Sequence, residues 1–337
     1  MSTRIQTGFR HESVVSVGWM VGASPIIGTL IWLVALAILR PALTDRVWAE
    51  AILMFAALVL FPLAMRLVAI DHTLADLRLR RVIDRLQLPS ALLLGAALLQ
   101  DTGPLAATLA LPWLLTLGLT AALGLRRFPR RPSWLSPEAC VDLSLVYLVV
   151  GGAWAVLDRA GMRPLDFQPV IVLLTAIHFH YAGFLLPLLT GLAVARFGRG
   201  MQRLVACGVL AGVPLVAIGI TTTQLGFSPL GESLAACWLA AATCLAAGLH
   251  LRLAWDFRWP RSARALWGSA GAALLASMGL AAAYGLRAYL PLAWLDIPTM
   301  RAWHGTANSL GFALPAVLGW LIATFSSRSL HSADAAP

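Results

Sequence analysis

Residues 168–195 read QPVIVLLTAIHFHYAGFLLPLLTGLAVA, an apolar run that contains two histidines and a tyrosine. The run is longer than the ~20 residues that an α-helix needs to cross a hydrocarbon core of about 30 Å. Ionisable side chains in such a helix cost free energy, so they usually face a bundle interior or a cavity. The stretch therefore predicts a membrane-spanning helix with His178, His180 and Tyr181 directed into the protein.

The whole chain has the composition of a membrane protein. Of its 337 residues, 59% are hydrophobic and 12% are charged, whereas about a quarter are charged in soluble domains. The fold class is therefore all-α, a polytopic transmembrane helix bundle of about ten (9–10) spans. The predicted spans are 21–39, 47–66, 87–100, 104–125, 140–157, 168–195, 204–223, 232–251, 265–286 and 306–325. The third is short, so a re-entrant or interfacial segment is its alternative.

Arginine distribution predicts the orientation of the bundle. All 25 basic residues are arginine, and 19 of them fall on one side of the predicted spans. The other side carries Arg40, Arg46, Arg159, Arg163, Arg287 and Arg301. The positive-inside rule then makes both termini cytoplasmic, in the bacterial cytoplasmic (inner) membrane.

This orientation divides the chain into three parts. They are a cytoplasmic N-terminal segment at 1–20, a transmembrane helical domain at 21–325 and a cytoplasmic tail at 326–337. Residues 1–20 lack the short apolar region and small-residue site of a cleavable signal, so the first span is expected to stay in the membrane.

The net charge of +10 could indicate a nucleic-acid partner, but the positions of the arginines favour anionic lipid. The arginines flank spans and do not form one basic face with interleaved aromatics, so we expect them to meet anionic headgroups on the cytoplasmic side of the bilayer. The charged segment 67–86 fits an amphipathic cytoplasmic helix, and Asp76 within it is expected on a solvated face.

A short sequence pattern occurs twice. Residues 183–191 (GFLLPLLTG) match 311–319 (GFALPAVLG) at an offset of 128 residues, and Phe61-Pro62-Leu63 is a weaker third candidate. The two copies lie in the sixth and tenth spans, four spans apart, which predicts a parallel internal repeat of the kind found in transporters. Generic helix packing is the alternative, because glycine, proline and leucine are common in membrane helices.

Polar residues near the repeat are predicted to converge on a pocket in the outer half of the membrane. His180 and Asn308 are equivalent under the offset, while His178 and His304 lie closer to the outside. The acid–base candidates are His178, His180 and Glu50, and the substrate-binding candidates are Tyr181, Asp296, Arg301, His304 and Asn308. The alternative is that these side chains only hydrogen-bond across helices and fix packing.

Helix geometry limits what the histidines can do together. Successive helical residues are about 100° apart, so His178 and His180 point to nearly opposite faces and cannot bind one metal from a regular helix. No metal site is predicted, and the sequence indicates no particular cofactor. A single histidine facing the bundle could still act as an acid, a base or a proton relay.

Three segments carry a resemblance to a known family. They are 178–184 (HFHYAGF), 296–300 (DIPTM) and 304–312 (HGTANSLGF). Together they resemble the YndJ-like family of bacterial multi-pass membrane proteins, most clearly over residues 140–325. The resemblance implies a multi-pass membrane protein and points to these positions; it brings no reaction or ligand, although members are sometimes labelled transporters.

The sequence is compatible with three functions. The leading hypothesis is a secondary transporter or permease for a small solute, with a polar pocket built by the second, sixth and tenth spans. The first alternative is a membrane-embedded enzyme that acts on a lipid or isoprenoid by His/Glu acid–base chemistry, with Arg301 holding an anionic headgroup. The second is a non-catalytic membrane partner protein.

Overall fold

The protein is an all-helical bundle in the computed structural model, which describes residues 23–39, 44–69, 73–131, 133, 136–197 and 200–333. Seven of its ten main helices are regular: α1 Ala23–Leu39, α3 Leu74–Leu98, α4 Pro104–Arg127, α5 Pro137–Arg159, α7 Met201–Gln224, α8 Leu230–Ala254 and α9 Arg261–Gly285. Three are composite: α2 (Asp45–Phe55, Ala56–Leu60, Phe61–Met65), α6 (Pro169–His178, Phe179–Leu185, Leu186–Val194) and α10 (Ile297–Thr299, Met300–Gly305, Ala307–Ala313, Leu314–Ala333).

Eight of these helices are long and apolar enough to cross a membrane, which confirms the predicted all-α polytopic bundle. The other two are α1, with 17 residues, and α3. The predicted segment 1–20 lies outside the described residues, as do 334–337. Residues 326–333 of the predicted tail continue the last helix of α10, which ends at Ala333.

The third predicted span is corrected by the structure. Residues 87–98 are the second half of α3, a continuous helix of 25 residues that also takes in most of the charged segment. A buried stripe runs along its whole length through Asp76, Ile83, Gln87 and Leu94. Arginines on the opposite face lower the mean hydropathy of the first half of this helix. Hydropathy alone therefore assigned only its second half to a span.

Asp76 is fully buried, so its predicted place on a solvated face is wrong. Its Oδ1 accepts from Arg126 Nε at 3.0 Å, and Arg130 also bonds its carboxylate. Burial alone would raise the pKa of Asp76, but hydrogen bonds from Thr73, Arg130 and Arg126 outweigh it and lower the pKa to about 2. The ion pairs join α3 to the end of α4.

A second buried carboxylate binds the two arginines that directly follow Arg126 and Arg130 in the sequence. Asp142 of α5 lies 2.9 Å from Arg127 Nε and 2.5 Å from Arg131 Nε. Residues four apart share a helix face, so one arginine pair points to α3 and the other to α5. These arginines connect helices, and headgroup binding stays a prediction for the remaining ones.

The three composite helices share a local distortion. Each contains a π-helical segment that ends just before a proline: Phe61 N–H bonds Ala56 O, Leu186 N–H bonds Tyr181 O, and Leu314 N–H bonds Ser309 O. Proline lacks an N–H, and its ring would clash with the carbonyl four residues earlier. The wider π-helical turn relieves that clash, so the repeated sequence pattern has a repeated backbone geometry.

The composite helices also contact one another. Tyr181 of α6 donates its O–H to Ile52 O of α2 at 2.9 Å, and Trp48 Nε1 of α2 donates to Thr306 Oγ1 of α10 at 2.9 Å. Further along, the rings of Phe61 and Phe184 lie 5.8 Å apart. Contacts advance in the same direction along α2 and α6, so these helices run parallel.

Candidate functional site

A cavity of about 460 Å³ lies among α6, α7, α8, α9 and α10, and we call it the outer cavity. It lies toward the end of the bundle where the even-numbered helices begin, which the arginine distribution predicts to be the outer end. Its volume is within the range of small-molecule sites. Its polar lining residues are Thr175, His178, Tyr181, Thr221, Glu232, Thr243, Tyr284, Arg287, Arg301, His304 and Asn308; the remaining wall is apolar.

Five of the eight sequence-predicted site residues line this cavity: His178, Tyr181, Arg301, His304 and Asn308. The helices that enclose it differ from the expected set. The second, sixth and tenth spans were predicted to form the pocket, but α2 contributes only Ile52, whereas α7, α8 and α9 form much of the wall.

The three other candidates lie elsewhere. His180, Glu50 and Asp296 are not among the lining residues.

His304 and Asn308 form a network with Ser277 of α9. Ser277 O lies 3.0 Å from His304 Nδ1, and because a carbonyl only accepts, Nδ1 carries the proton. Nε2 then accepts from Asn308 Nδ2 at 3.1 Å, and the same amide donates to Ser277 Oγ at 2.8 Å. The π-helical segments of α10 carry both side chains. The network holds a neutral imidazole at the cavity wall.

His178 is held less firmly. Its Nε2 is buried and has no hydrogen-bond partner among the described residues, and the same is true of Thr243 Oγ1. Buried polar groups are normally paired, so two unpaired groups in one cavity wall indicate positions where a bound molecule would supply the missing partner.

His180 faces the other side of α6. It is 1% exposed, and Trp113 Nε1 of α4 donates to its Nε2 at 3.1 Å. Its Nδ1 lies 2.8 Å from Ala176 O and therefore donates to it. The neutral ring is thus fully bonded. His178 and His180 point to opposite faces, as their spacing predicts, and the offset that pairs His180 with Asn308 does not give them equivalent surroundings.

Glu50 and Asp296 each accept hydrogen bonds from nearby groups of the protein and do not line the cavity. Glu50 Oε1 accepts from Arg46 Nε at 2.9 Å and lies 3.6 Å from Arg159 Nη2, in an ion-pair network with Asp158. Asp296 accepts from the backbone N–H of Thr299 at 2.8 Å and caps the start of α10. That backbone hydrogen bond is the main reason that the pKa of Asp296 is below its usual value.

The sequence reasoning missed an ion pair at the cavity. Arg287 Nη2, just after α9, donates to Glu232 Oε1 in the first turn of α8 at 2.7 Å. The guanidinium also lies 4.4 Å from the Tyr284 ring centroid. The available signal was a pair of opposite charges at the outer ends of consecutive apolar helices. Ser277 carried no such signal, since lone serines are common in membrane helices.

No group of three or more His, Cys, Asp or Glu side chains that could hold a metal occurs within the part of the chain that the structure describes. The lining residues can supply hydrogen bonds from neutral imidazole, amide and hydroxyl groups, and charge from arginine. This set suits recognition of a polar headgroup within an otherwise apolar cavity.

A family model described as YndJ-like protein matches residues 51–312. The chain belongs to the YndJ-like family. The "Uncharacterized membrane protein YndJ" of Bacillus subtilis (strain 168) is 30% identical over 188 residues. That match covers 55% of this chain and 33% of the relative, so this YndJ-like protein aligns with about a third of the relative's length. No solved structure matches it. It is a multi-pass membrane protein, and the cavity residues on α6 and α10, apart from Ala313, lie within the family region.

Proposed function

We propose that this YndJ-like protein is a secondary transporter that binds a small amphipathic molecule in the outer cavity and carries it across the membrane. The observation that supports the proposal best is the position of the cavity-lining groups on distorted helices. His304 and Asn308 lie in π-helical segments of α10, and His178 directly precedes the one in α6.

Such helices are suited to movement. A proline within a span leaves a backbone carbonyl without its helical partner, and the interruption allows a helix to bend at modest cost. In α6 and α10 the prolines Pro187 and Pro315 stand two residues after the last residue of the π-helical segments. Bending at these points would move the lining residues relative to α8 and α9.

A tryptophan cluster is buried at the opposite end of the bundle. Trp267 of α9 and Trp320 of α10 are 0% and 2% exposed, and their rings lie 5.0 Å apart. The guanidinium of Arg196, just after α6, lies 4.9 Å from the Trp259 ring centroid and 5.7 Å from that of Trp320. Transport would require this tryptophan cluster to separate.

The enzyme alternative has less support. It relied on a histidine and Glu50 acting together, but Glu50 binds Arg46 and does not line the cavity. General acid–base catalysis needs the two groups within hydrogen-bond reach of the reacting atoms. Glu232, the carboxylate that does line the cavity, is bound by Arg287.

Cysteine accessibility tests the transport proposal without knowledge of the substrate. The four native cysteines are replaced, and Thr243→Cys is introduced deep in the cavity. A membrane-impermeant maleimide is then applied to right-side-out and inside-out vesicles. We expect labelling from both sides, because a transporter exposes its site alternately. Leu30→Cys on the exposed apolar surface of α1 is the control and should resist the reagent from either side.

Labelling of Thr243→Cys from the outer side alone would contradict transport. It would leave a one-sided binding site, as expected for an enzyme or a binding partner.

A further inference from the structure

Three buried polar atoms without a partner lie between the outer cavity and the opposite end of the bundle, which we call the inner end. They are Nε2 of His250 on α8, Nε1 of Trp267 on α9 and Nε1 of Trp320 on α10, and none of them bonds a described residue. The three side chains are 0%, 0% and 2% exposed. A buried donor or acceptor left unpaired costs free energy, so these atoms favour a conformation in which they gain partners.

The same residue types are bonded elsewhere in the bundle. Trp32 Nε1 donates to Ala51 O at 2.8 Å, and Trp113 Nε1 donates to His180 Nε2 at 3.1 Å. The other ring nitrogen of His180 bonds Ala176 O. Tryptophan and histidine are therefore not left unpaired throughout this protein. The unpaired atoms of His250, Trp267 and Trp320 belong to one region, the inner part of α8, α9 and α10.

These side chains follow one another from the cavity to the inner end. The ring of His250 lies 5.6 Å from that of Phe312, which lines the outer cavity. His250 is also seven residues beyond Thr243 of the cavity wall, two turns further along the same face of α8 and about 10 Å deeper. Trp320 is eight residues beyond Phe312 on α10, and its ring lies 5.0 Å from that of Trp267.

The three groups are neutral and complement one another as donors and acceptors. His250 Nδ1 lies 3.0 Å from Ala246 O, and because a carbonyl only accepts, Nδ1 carries the proton and Nε2 is an acceptor. The indole N–H groups of Trp267 and Trp320 are donors only. A hydroxyl group or water both donates and accepts, so it can pair with each of the three. Beyond them, the guanidinium of Arg196 lies 5.7 Å from the Trp320 ring centroid.

We infer that the route of the transported molecule leaves the outer cavity past Phe312 and runs between α8, α9 and α10 along His250, Trp267 and Trp320. These side chains bond the polar part of the molecule, or water, as the helices separate at the inner end. This inference deepens the proposed transport function and rests on it.

Hydroxyl-radical footprinting of the wild-type protein in lipid nanodiscs tests the route without a mutation. Radicals formed from water oxidise a side chain only where water reaches it. Trp113 is the internal control, because it is 0% exposed and its Nε1 is bonded. We expect Trp267 and Trp320 to be oxidised at least about fivefold faster than Trp113, the factor that corresponds to the pairing of one buried donor. Equal rates at the three tryptophans would overturn the inference.

Cysteine accessibility tests whether the route reaches the inner end. In the background without native cysteines, His250→Cys is compared with Thr120→Cys on α4. Thr120 is also 0% exposed, but its hydroxyl bonds Thr116 O at 2.9 Å. A small, membrane-impermeant methanethiosulfonate is applied to inside-out vesicles. We expect His250→Cys to react at least about fivefold faster than Thr120→Cys, for the same reason. Equal reaction of the two variants would contradict the route.

The outcomes separate this inference from the proposed function. Labelling of Thr243→Cys from both sides, with no faster reaction at His250→Cys, would keep transport and reject this route. Labelling of Thr243→Cys from the outer side alone would reject transport, and the route with it.

Discussion

The two faces of α6 place the same residue type in opposite situations. His180 is 1% exposed, with both ring nitrogens bonded, to Trp113 and to Ala176 O. His178 lines the outer cavity, and its buried Nε2 has no partner among the described residues. A fully bonded polar group fixes packing, whereas an unbonded one beside a cavity is available to a ligand. The comparison predicts that stability depends on one face and function on the other.

The largest expected effect is at the bonded face. His180→Ala should destabilise the protein by about 2–4 kcal/mol, because it leaves a space in a packed interior and removes the acceptor of Trp113 Nε1–H. Unfolding in mixed micelles by sodium dodecyl sulfate measures the change. Trp113→Phe keeps an aromatic ring and should cost less. A His180→Ala protein as stable as wild type would remove the basis of the comparison.

The next largest effect on stability is expected where α5 packs closely against the His180 face of α6. A Cβ on Gly151 of α5 would lie 2.7 Å from His180 Nδ1 and 3.1 Å from Ala176 O. Gly151→Ala should therefore separate α5 from α6 and cost about 1–3 kcal/mol. Gly118→Ala is the matched control, since a Cβ there meets no atom within 4 Å. Equal stability of the two variants in the same unfolding assay would show that this contact is not tight.

A bonded carboxylate at the other end of the bundle extends the comparison to pH. The folded pKa of Asp76, about 2, lies below its ordinary value of 3.8. The stabilisation is therefore complete above pH 3.8 and is lost as pH falls through about 2. Asp76→Asn should be less stable at neutral pH and should lose less stability between pH 4 and 2 than wild type. Parallel acid-unfolding curves would contradict this assignment.

Ser277→Ala tests the cavity side of the comparison, because Ser277 orients His304 and Asn308. The variant removes a hydroxyl that bonds His304 Nδ1 at 2.9 Å and Asn308 Nδ2 at 2.8 Å. Hydrogen bonds between membrane helices contribute about 0.6 kcal/mol on average, so the stability loss should be small. Maleimide labelling of Thr243→Cys in the outer cavity should change more than stability does. Ser269→Ala, on an exposed part of α9, is the control and should change neither.

Much of the fold was predictable because lipid demands apolar helices. Hydropathy located nine of the ten helices and only the second half of α3, because the arginines on its exposed face conceal a buried stripe that includes Ile83 and Leu94. The π-helical segments could not be foreseen from hydropathy. Their prolines were visible at 62, 187 and 315, but a proline alone does not determine how a helix accommodates it.

The site was predictable only in part. Histidines within apolar runs pointed to α6 and α10, because ionisable residues are costly in a membrane helix, and both helices line the outer cavity. Sequence could not decide which histidine meets the cavity, since that depends on whether α4 or α8 packs against a given face. Glu50 and Glu232 each begin an apolar helix and look alike in sequence, yet only Glu232 lines the cavity.

The smallest expected change in stability is also the sharpest test of the comparison. His178→Ala removes a side chain that borders the cavity and whose Nε2 bonds no described residue, so unfolding should shift by no more than about 0.5 kcal/mol. Maleimide labelling of Thr243→Cys should nevertheless change, because the substitution removes a polar group from the wall of the same cavity. Measured beside His180→Ala, the pair should separate stability from access to the outer cavity. If His178→Ala is as destabilising as His180→Ala, both histidines serve packing, and the outer cavity loses its main polar contact on α6.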